Sequence, residues 1–245
     1  ASELLLYPQT LIEAGTRLGQ MSSNNFPKAV LWDMDGTLID SEPYWMLSES
    51  RLAKQYGSTW SEKDALQLIG NDLFHASDLL RNQFGIEDMT TREVIDRLTD
   101  EVIEQLRTKL PWRPGALELL VELKKAGIKT ALVTMSMRTM ALTVADQIDF
   151  EAFDVVVAGD DVTNGKPHPE PYLRAAELLG VAPEDCLAFE DSPTGLASAE
   201  AAGCHAIGVT NIIILPTGPN RRIISSLTEV TMENLAALRI NNEDK

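Results

Sequence analysis

Cysteine, histidine and positive charge are all scarce in this chain. Only two cysteines, Cys186 and Cys204, occur among 245 residues. Two are too few for a disulfide framework, and both sit in or beside apolar segments, so they read as buried, reduced thiols. That usage fits a cytoplasmic location. Three histidines, with no close His pair and no His/Cys cluster, give no zinc-binding pattern. His75 and His168 are far apart in sequence, and His168 reads as a loop residue near Lys166. Lys and Arg number 21 against 37 Asp and Glu, a formal net charge of -16. Long-range electrostatics therefore oppose nonspecific binding to nucleic acid or anionic membranes. A small anionic substrate would need a cation fixed beside it. Leu4-Leu5-Leu6-Tyr7 is cut short by Pro8 and no basic residue precedes it, so neither a secretory signal nor a membrane span is expected there. No repeat period or low-complexity block stands out.

What is present is enough apolar material, 44% of residues, to fill a substantial interior. The run Ala29-Val30-Leu31-Trp32 reads as a buried strand. After Asp40 the pattern turns helical through Tyr44 to Tyr56, Ala65 to Leu68, Leu73 to Phe84 and Val94 to Leu110. From Pro111 it alternates. Helices are expected at Ala116–Lys125, Arg138–Gln147, Pro169–Leu179 and Pro193–Ala202, and strands at Ile128–Val133, Val155–Ala158, Cys186–Phe189 and Ala206–Val209. Alternating β and α segments with apolar strands predict an α/β fold, a Rossmann-like parallel sheet with helices on both faces. The helical block is then an insertion after the first strand. The expected organisation is an N-terminal flank at 1–26, an α/β core from 27–41 and 111–245, and a helical cap at 42–110. The proline-bearing segments Asp40-Ser41-Glu42-Pro43 and Pro111-Trp112-Arg113-Pro114-Gly115 are candidate hinges or plain loop punctuation.

Ligands of open parallel sheets bind beyond the carboxyl ends of the strands. The first strand ends in Asp33-Met34-Asp35-Gly36-Thr37, where alternation points Asp33 and Asp35 the same way and Gly36 permits a sharp turn. Such a pair can hold a hard cation and divide nucleophilic from acid/base work, or can simply close a strand with a polar turn. Later strand ends carry Thr134 and Ser136, then Gly165-Lys166-Pro167, then Glu190-Asp191-Ser192. Singly, Thr134 and Ser136 read as helix caps, Lys166 as a solvated loop lysine, and Ser192 or Asp191 as an N-cap before Pro193. Jointly they supply carboxylates, hydroxyl donors and one ammonium, the inventory for a divalent cation bound beside a phosphoryl group.

Asp33-Met34-Asp35-Gly36-Thr37-Leu38-Ile39-Asp40-Ser41, Thr134, Gly165-Lys166-Pro167-His168-Pro169 and Glu190-Asp191-Ser192-Pro193-Thr194-Gly195 resemble, in order and spacing, the four motifs of the haloacid dehalogenase superfamily of phosphotransferases. Within it the chain is similar to the helical-cap branch that includes β-phosphoglucomutase and sugar-phosphate phosphatases. The resemblance implies Mg²⁺ as cofactor and Asp33 as nucleophile, forming an aspartyl-phosphate. It implies Asp33, Asp191 and the backbone carbonyl of Asp35 as metal ligands, with Glu190 orienting metal waters or ligating weakly. It makes the Asp35 side chain the general acid and base. Lys166 would balance charge, while Thr134, Ser136, Thr37 and local amides such as that of Gly36 would bind phosphoryl oxygens.

Substrate choice is expected to come from the cap. The resembled mutases carry a basic loop where this chain reads Leu68-Ile69-Gly70-Asn71-Asp72-Leu73, without Lys or Arg. That favours a phosphatase for a small phosphorylated metabolite, a sugar phosphate or similar monoester, over a mutase, unless Arg81, Lys54 or Arg138 replaces the missing cations. Halide displacement leaves Asp35 and Asp191 without a purpose, and neither Lys54 nor Lys63 stands in a Schiff-base motif. A non-catalytic phosphate-binding protein is the remaining alternative, weakened by the intact acid and nucleophile. Trp45 and Trp60 read as core residues or as lining of the cap pocket. No nucleic acid or membrane partner is expected. Oligomeric state is open, with a monomer plausible.

Overall fold

The computed structural model describes residues 26–69 and 72–239. The flank expected at 1–26 lies outside these except for Phe26, as do Gly70 and Asn71. Six strands, β1 (Ala29–Trp32), β2 (Lys129–Val133), β3 (Val155–Val157), β4 (Cys186–Glu190), β5 (His205–Val209) and β6 (Arg221–Ile224), form one sheet in the order β3-β2-β1-β4-β5-β6. Every pairing is parallel. The α/β fold expected from the alternating pattern is therefore the observed one.

The strands are apolar on both faces because helices cover both. Val30 and Trp32 join one core with Leu119 and Leu123 of α5 (Ala116–Lys125) and Met140 and Val144 of α6 (Arg138–Asp146). Ala29 and Leu31, pointing the other way as alternate strand residues must, join Tyr172 and Ala176 of α7 (Glu170–Leu179) and Leu196 and Ala199 of α8 (Pro193–Ala202). Four further helices lie in sequence between β1 and α5. They are α1 (Glu42–Gln55), α2 (Glu62–Ala65), α3 (Leu73–Phe84) and α4 (Thr91–Thr108). The expected helix at Ala65–Leu68 is shifted. Ser61 and Asp64 form a capping box that starts the turn at Glu62, so Leu66 to Leu68 fall after it. In α4, Thr90 and Glu93 form a second capping box, and Val94, Leu98, Val102 and Leu106 bury one face at helical spacing. That face joins the same core as Val30 and Trp32, so the helical block and the sheet share one apolar interior.

The two chain crossings between sheet and helical block run side by side. The Asp40 amide donates to the Pro111 carbonyl at 2.8 Å, and the Arg113 amide to that of Leu38 at 2.8 Å. Pro43 stands in the first turn of α1, where a missing amide proton costs nothing. The segment from Asp40 to Pro43 is therefore largely helix start rather than free loop.

β6 has no counterpart in the sequence-based expectation. Arg221-Arg222-Ile223-Ile224 shows neither alternation nor a full apolar run, and it sits at the sheet edge with all four residues only half-buried.

At the sheet centre Trp32 and Phe189 are register partners, stacked with ring centroids 4.8 Å apart. Each immediately precedes an acidic residue, Asp33 or Glu190, so this fully buried pair fixes the two strand ends relative to one another. Phe189→Ala is expected to cost about 3–5 kcal/mol, read as a fall in the urea unfolding midpoint. A loss below about 1 kcal/mol would contradict this packing.

Candidate active site

Asp33 leaves β1 with its amide still on the ladder, donating to the Phe189 carbonyl at 3.0 Å. Met34 turns into the core and is fully buried, which leaves Asp33 and Asp35 on the opposite, open side. The turn closes through amides of Leu38 and Ile39 on the Met34 carbonyl and that of Gly36 on the Ile39 carbonyl. Gly36 has φ +83°, and a Cβ there would stand 1.9 Å from Asp191 Oδ2. Glycine is required on both grounds, by conformation and by the carboxylate against it.

Lys166 carries the charge balance. Its Nζ lies 2.8 Å from Asp33 Oδ1, 2.6 Å from Glu190 Oε1 and 2.9 Å from the Val133 carbonyl, with the side chain 5% exposed. Burial alone would lower the ammonium's pKa, but Asp33 and Glu190 together hold it above its ordinary range. The solvated-lysine reading is thus excluded. Glu190 also accepts from the buried Tyr172 hydroxyl at 2.5 Å. Burial and Asp33 push this carboxyl up to about 7, against Lys166 and Tyr172, which favour its charged form. A Cβ on Gly195 would fall about 2 Å from the Glu190 carboxylate, so that glycine keeps the space open.

The Asp35 carboxylate lies in a cup of neutral donors. Oδ2 accepts from Ser136 Oγ at 2.6 Å and Thr134 Oγ1 at 3.3 Å, and Oδ1 from Ser41 Oγ and, at 3.5 Å, from Trp45 Nε1. Burial raises its pKa; Ser136 and Ser41 oppose the shift and Asp33 adds to it. Thr134 and Ser136 are not helix caps, because α6 begins after Met137 with no side-chain cap. Ser192 does cap α8, accepting from the Gly195 amide at 3.0 Å. Thr37 donates to Asp33 Oδ2 at 2.8 Å. The residues expected from the four strand ends therefore meet at one place.

Asp33, Glu190 and Asp191 offer oxygens that all lie within 4.8 Å of one another. Among the described residues the Asp191 carboxylate is held by the Asn211 amide alone, at 3.0 Å, and burial together with Asp33 keeps its pKa well above the ordinary range. Closely set carboxylates in this state lack positive charge, and an all-oxygen donor set suits a hard divalent cation such as Mg²⁺. The residues fit that ion. With Glu190 occupied by Lys166 and Tyr172, Asp33 and Asp191 are the better placed carboxylates.

These groups open into a cavity of ≈ 170 Å³. Its far wall comes from α1 and from the residues around α2 and α3, including Glu42, Trp45, Glu49, Leu68 and Leu73. Among the described lining residues Lys166 is the sole cation. None of the candidate replacements reaches it: Arg81 donates to the Met89 carbonyl, Arg138 pairs with Asp161, and Lys54 is exposed. Trp45 lines the cavity, while Trp60 packs edge-on against Phe84 and donates to Glu49 Oε2 at 2.9 Å. His168 is a loop residue whose ring accepts the Glu170 amide at 3.2 Å. Both cysteines are buried and unbridged. Sequence reasoning placed Ser41 in the first motif without giving it a role, and missed Glu42, Glu49, Tyr172 and Asn211. Of these, only the seven-residue spacing of Glu42 and Glu49 on one helix offered a signal.

The family profile of haloacid dehalogenase-like hydrolases matches residues 27–203. The chain belongs to the haloacid dehalogenase-like hydrolase family. It is 36% identical over 181 residues to the phosphorylated carbohydrates phosphatase of Thermotoga maritima, covering 74% of this chain and 83% of that protein. Hexitol phosphatase A of Escherichia coli is 37% identical over 184 residues, covering 74% and 82%. The crystal structure of a family IA, variant 3 hydrolase from Entamoeba histolytica superimposes with a TM-score of 0.76 at 28% identity, covering 87% of this chain and 99% of that one. Among the described residues, no helix of this hydrolase is long and apolar enough to cross a membrane.

In this haloacid dehalogenase-like hydrolase, Glu42 and Glu49 are carboxylates without a cationic partner among the described residues. Burial pushes each up to about 7, with Asp35 adding to the shift at Glu42 and the Trp60 bond opposing it at Glu49. A folded-state pKa above the unfolded value means no penalty below about pH 4.5 and a growing one as pH rises to about 7. For Glu49 that amounts to on the order of 2–3 kcal/mol. Glu49→Gln is therefore expected to match the parent's melting temperature near pH 4.5 and exceed it by several degrees at pH 8. A pH-independent difference in thermal scans would contradict the assignment.

Proposed function

We propose that this protein is a Mg²⁺-dependent phosphatase of small phosphorylated metabolites, sugar phosphates above all, acting through an aspartyl-phosphate on Asp33. The observation that carries the reading is the pairing of Asp33 with Lys166 in the lining of a cavity that also holds Asp35 and Asp191. The names of two phosphatases similar in sequence, one for phosphorylated carbohydrates and one for hexitol phosphates, support the substrate class.

Asp33, Asp191 and the Asp35 backbone carbonyl would hold Mg²⁺, which supplies the positive charge that lets a carboxylate approach a phosphate. Asp33 then attacks phosphorus with a carboxylate oxygen. A new O–P bond forms as the ester P–O bond breaks. Asp35, whose pKa is raised by burial, gives its proton to the departing alkoxide. Lys166 stays fixed on the other Asp33 oxygen, so the nucleophile keeps one orientation throughout. In the second half, Asp35 takes a proton from water as that water attacks the phosphoryl group, returning Asp33 and releasing inorganic phosphate. Thr134 and Ser136, now on Asp35, are within reach to donate to phosphoryl oxygens instead. Residues 42–110 are assigned as the cap, a reading supported by the cavity lining that α1, α2 and α3 contribute.

A mutase must hold a second phosphate, and no described cation lines the far wall. A purely phosphate-binding protein would have no use for Asp35 in its donor cup. Phosphate release from hexose and hexitol phosphates is expected to need Mg²⁺ and to stop with EDTA. Asp33→Asn should lower kcat about a thousandfold or more. Turnover surviving that substitution would remove the covalent route, and isomer interconversion without phosphate release would select the mutase.

A further inference from the structure

The phosphoryl chemistry makes no use of the acidic far wall of the cavity. Glu42 and Glu49 stand seven residues apart on α1, two turns, and so share a face; Trp45 lies between them, and all three line the cavity that holds Asp33. Glu49 is only 7% exposed. Its Oε2 is fixed by Trp60, while no donor among the described residues is assigned to Oε1 or to Glu42. The charges facing Glu42 are those of Asp35, Glu49 and Asp40, all negative. Glu42 is half-buried and Glu49 nearly sealed, and a carboxylate set there without a cation beside it opposes folding where an apolar residue would serve packing better. Holding Trp60 needs only an acceptor, which glutamine also supplies.

The same lining includes the apolar side chains of Leu68, Ile69, Leu73 and Ala76, with Asp72 among them engaged as the cap of α3. A leaving group here meets both acceptors and hydrocarbon. An uncharged polyol chain satisfies both: its hydroxyls donate to carboxylates that lack donors, and its C–H edge covers the aliphatic residues. A leaving group with its own carboxylate or phosphate meets like charge there, and among the described lining residues the one cation, Lys166, is already held by Asp33 and Glu190.

We infer that Glu42 and Glu49 form a hydroxyl-binding clamp that selects uncharged, polyhydroxylated leaving groups and rejects phosphate esters bearing a second anionic group. The inference rests on the phosphatase reading for the identity of the bound ester. It goes further in assigning specificity to two residues outside the four motifs.

Calorimetry with the full-length Asp33→Asn protein in Mg²⁺ reads binding without turnover. A hexitol 6-phosphate should bind about tenfold or more tightly than 2-phosphoglycolate. Adding Glu49→Gln, or separately Glu42→Gln, should weaken the hexitol phosphate about five- to twentyfold. The same changes should leave inorganic phosphate within about twofold and leave 2-phosphoglycolate equal or tighter. Glu42→Gln loses no side-chain bond to any described residue, so it reads the clamp even where Glu49→Gln loosens Trp60. Equal affinity of the two esters in the parent, an unchanged preference in both variants, or an equal loss for all three ligands would overturn the clamp. Phosphate release by the wild-type protein is scored apart: preference without turnover removes the phosphatase and keeps the clamp, and turnover without preference does the reverse.

Discussion

A single ammonium, that of Lys166, makes this site possible. Three carboxylates, Asp33, Glu190 and Asp191, present oxygens within 4.8 Å of each other at the centre of a parallel sheet. Their mutual repulsion and desolvation would oppose folding if nothing offset them. Lys166 touches two of the three and is itself nearly sealed from solvent, so its charge offsets theirs inside the site. Three carboxylates against one ammonium leave two formal negative charges, the amount one divalent cation carries. Asp191 is the one of the three that Lys166 does not touch, and burial together with Asp33 holds its pKa well above the ordinary range.

The sheet delivers this arrangement through its topology. With β1 between β2 and β4 and all strands parallel, the residues following Trp32, Val133 and Phe189 emerge on the same edge. The stacked pair Trp32 and Phe189 sets the relation of Asp33 to Glu190 from below, and Tyr172 on α7 reaches Glu190 from the opposite face. Two glycines leave room for charge at the points of closest approach, Gly36 against Asp191 and Gly195 against Glu190. Rigid groups of this kind hold the chemistry on the sheet. In the proposed function the leaving group is met by the helical block, whose α1 and segments around α2 and α3 supply both acidic and apolar lining residues.

Much of this was legible in the sequence, and for a physical reason. Strands buried on both faces must be nearly continuous apolar runs, and ligands of parallel sheets sit where those runs stop. Asp33, Thr134 and Asp191 could therefore be placed in one neighbourhood, along with Lys166 from the loop after β3. Their exact engagements could not. Thr134 and Ser136 look like helix caps in sequence, but in the fold they serve Asp35, because α6 starts only after Met137. Strand β6 escaped because an edge strand half-covered on both faces needs no strict alternation. Glu42 and Glu49 escaped because an acidic residue on a helix ordinarily faces water. Only the folded wall shows that these two face a cavity, and only the bond from Trp60, eleven residues on, shows one of them fixed there.

The claim beneath all of this is that Asp33 and Asp191, from strands far apart in sequence, share one hard cation while Lys166 neutralises the remainder. Crystals grown with Mn²⁺ in place of Mg²⁺ test it directly through anomalous scattering. The account predicts one strong peak at about 2.0–2.3 Å from a carboxylate oxygen of each aspartate, with Lys166 still bridging Asp33 and Glu190. A peak elsewhere, or none at saturating Mn²⁺ with Asp191 still bound to Asn211, would contradict it.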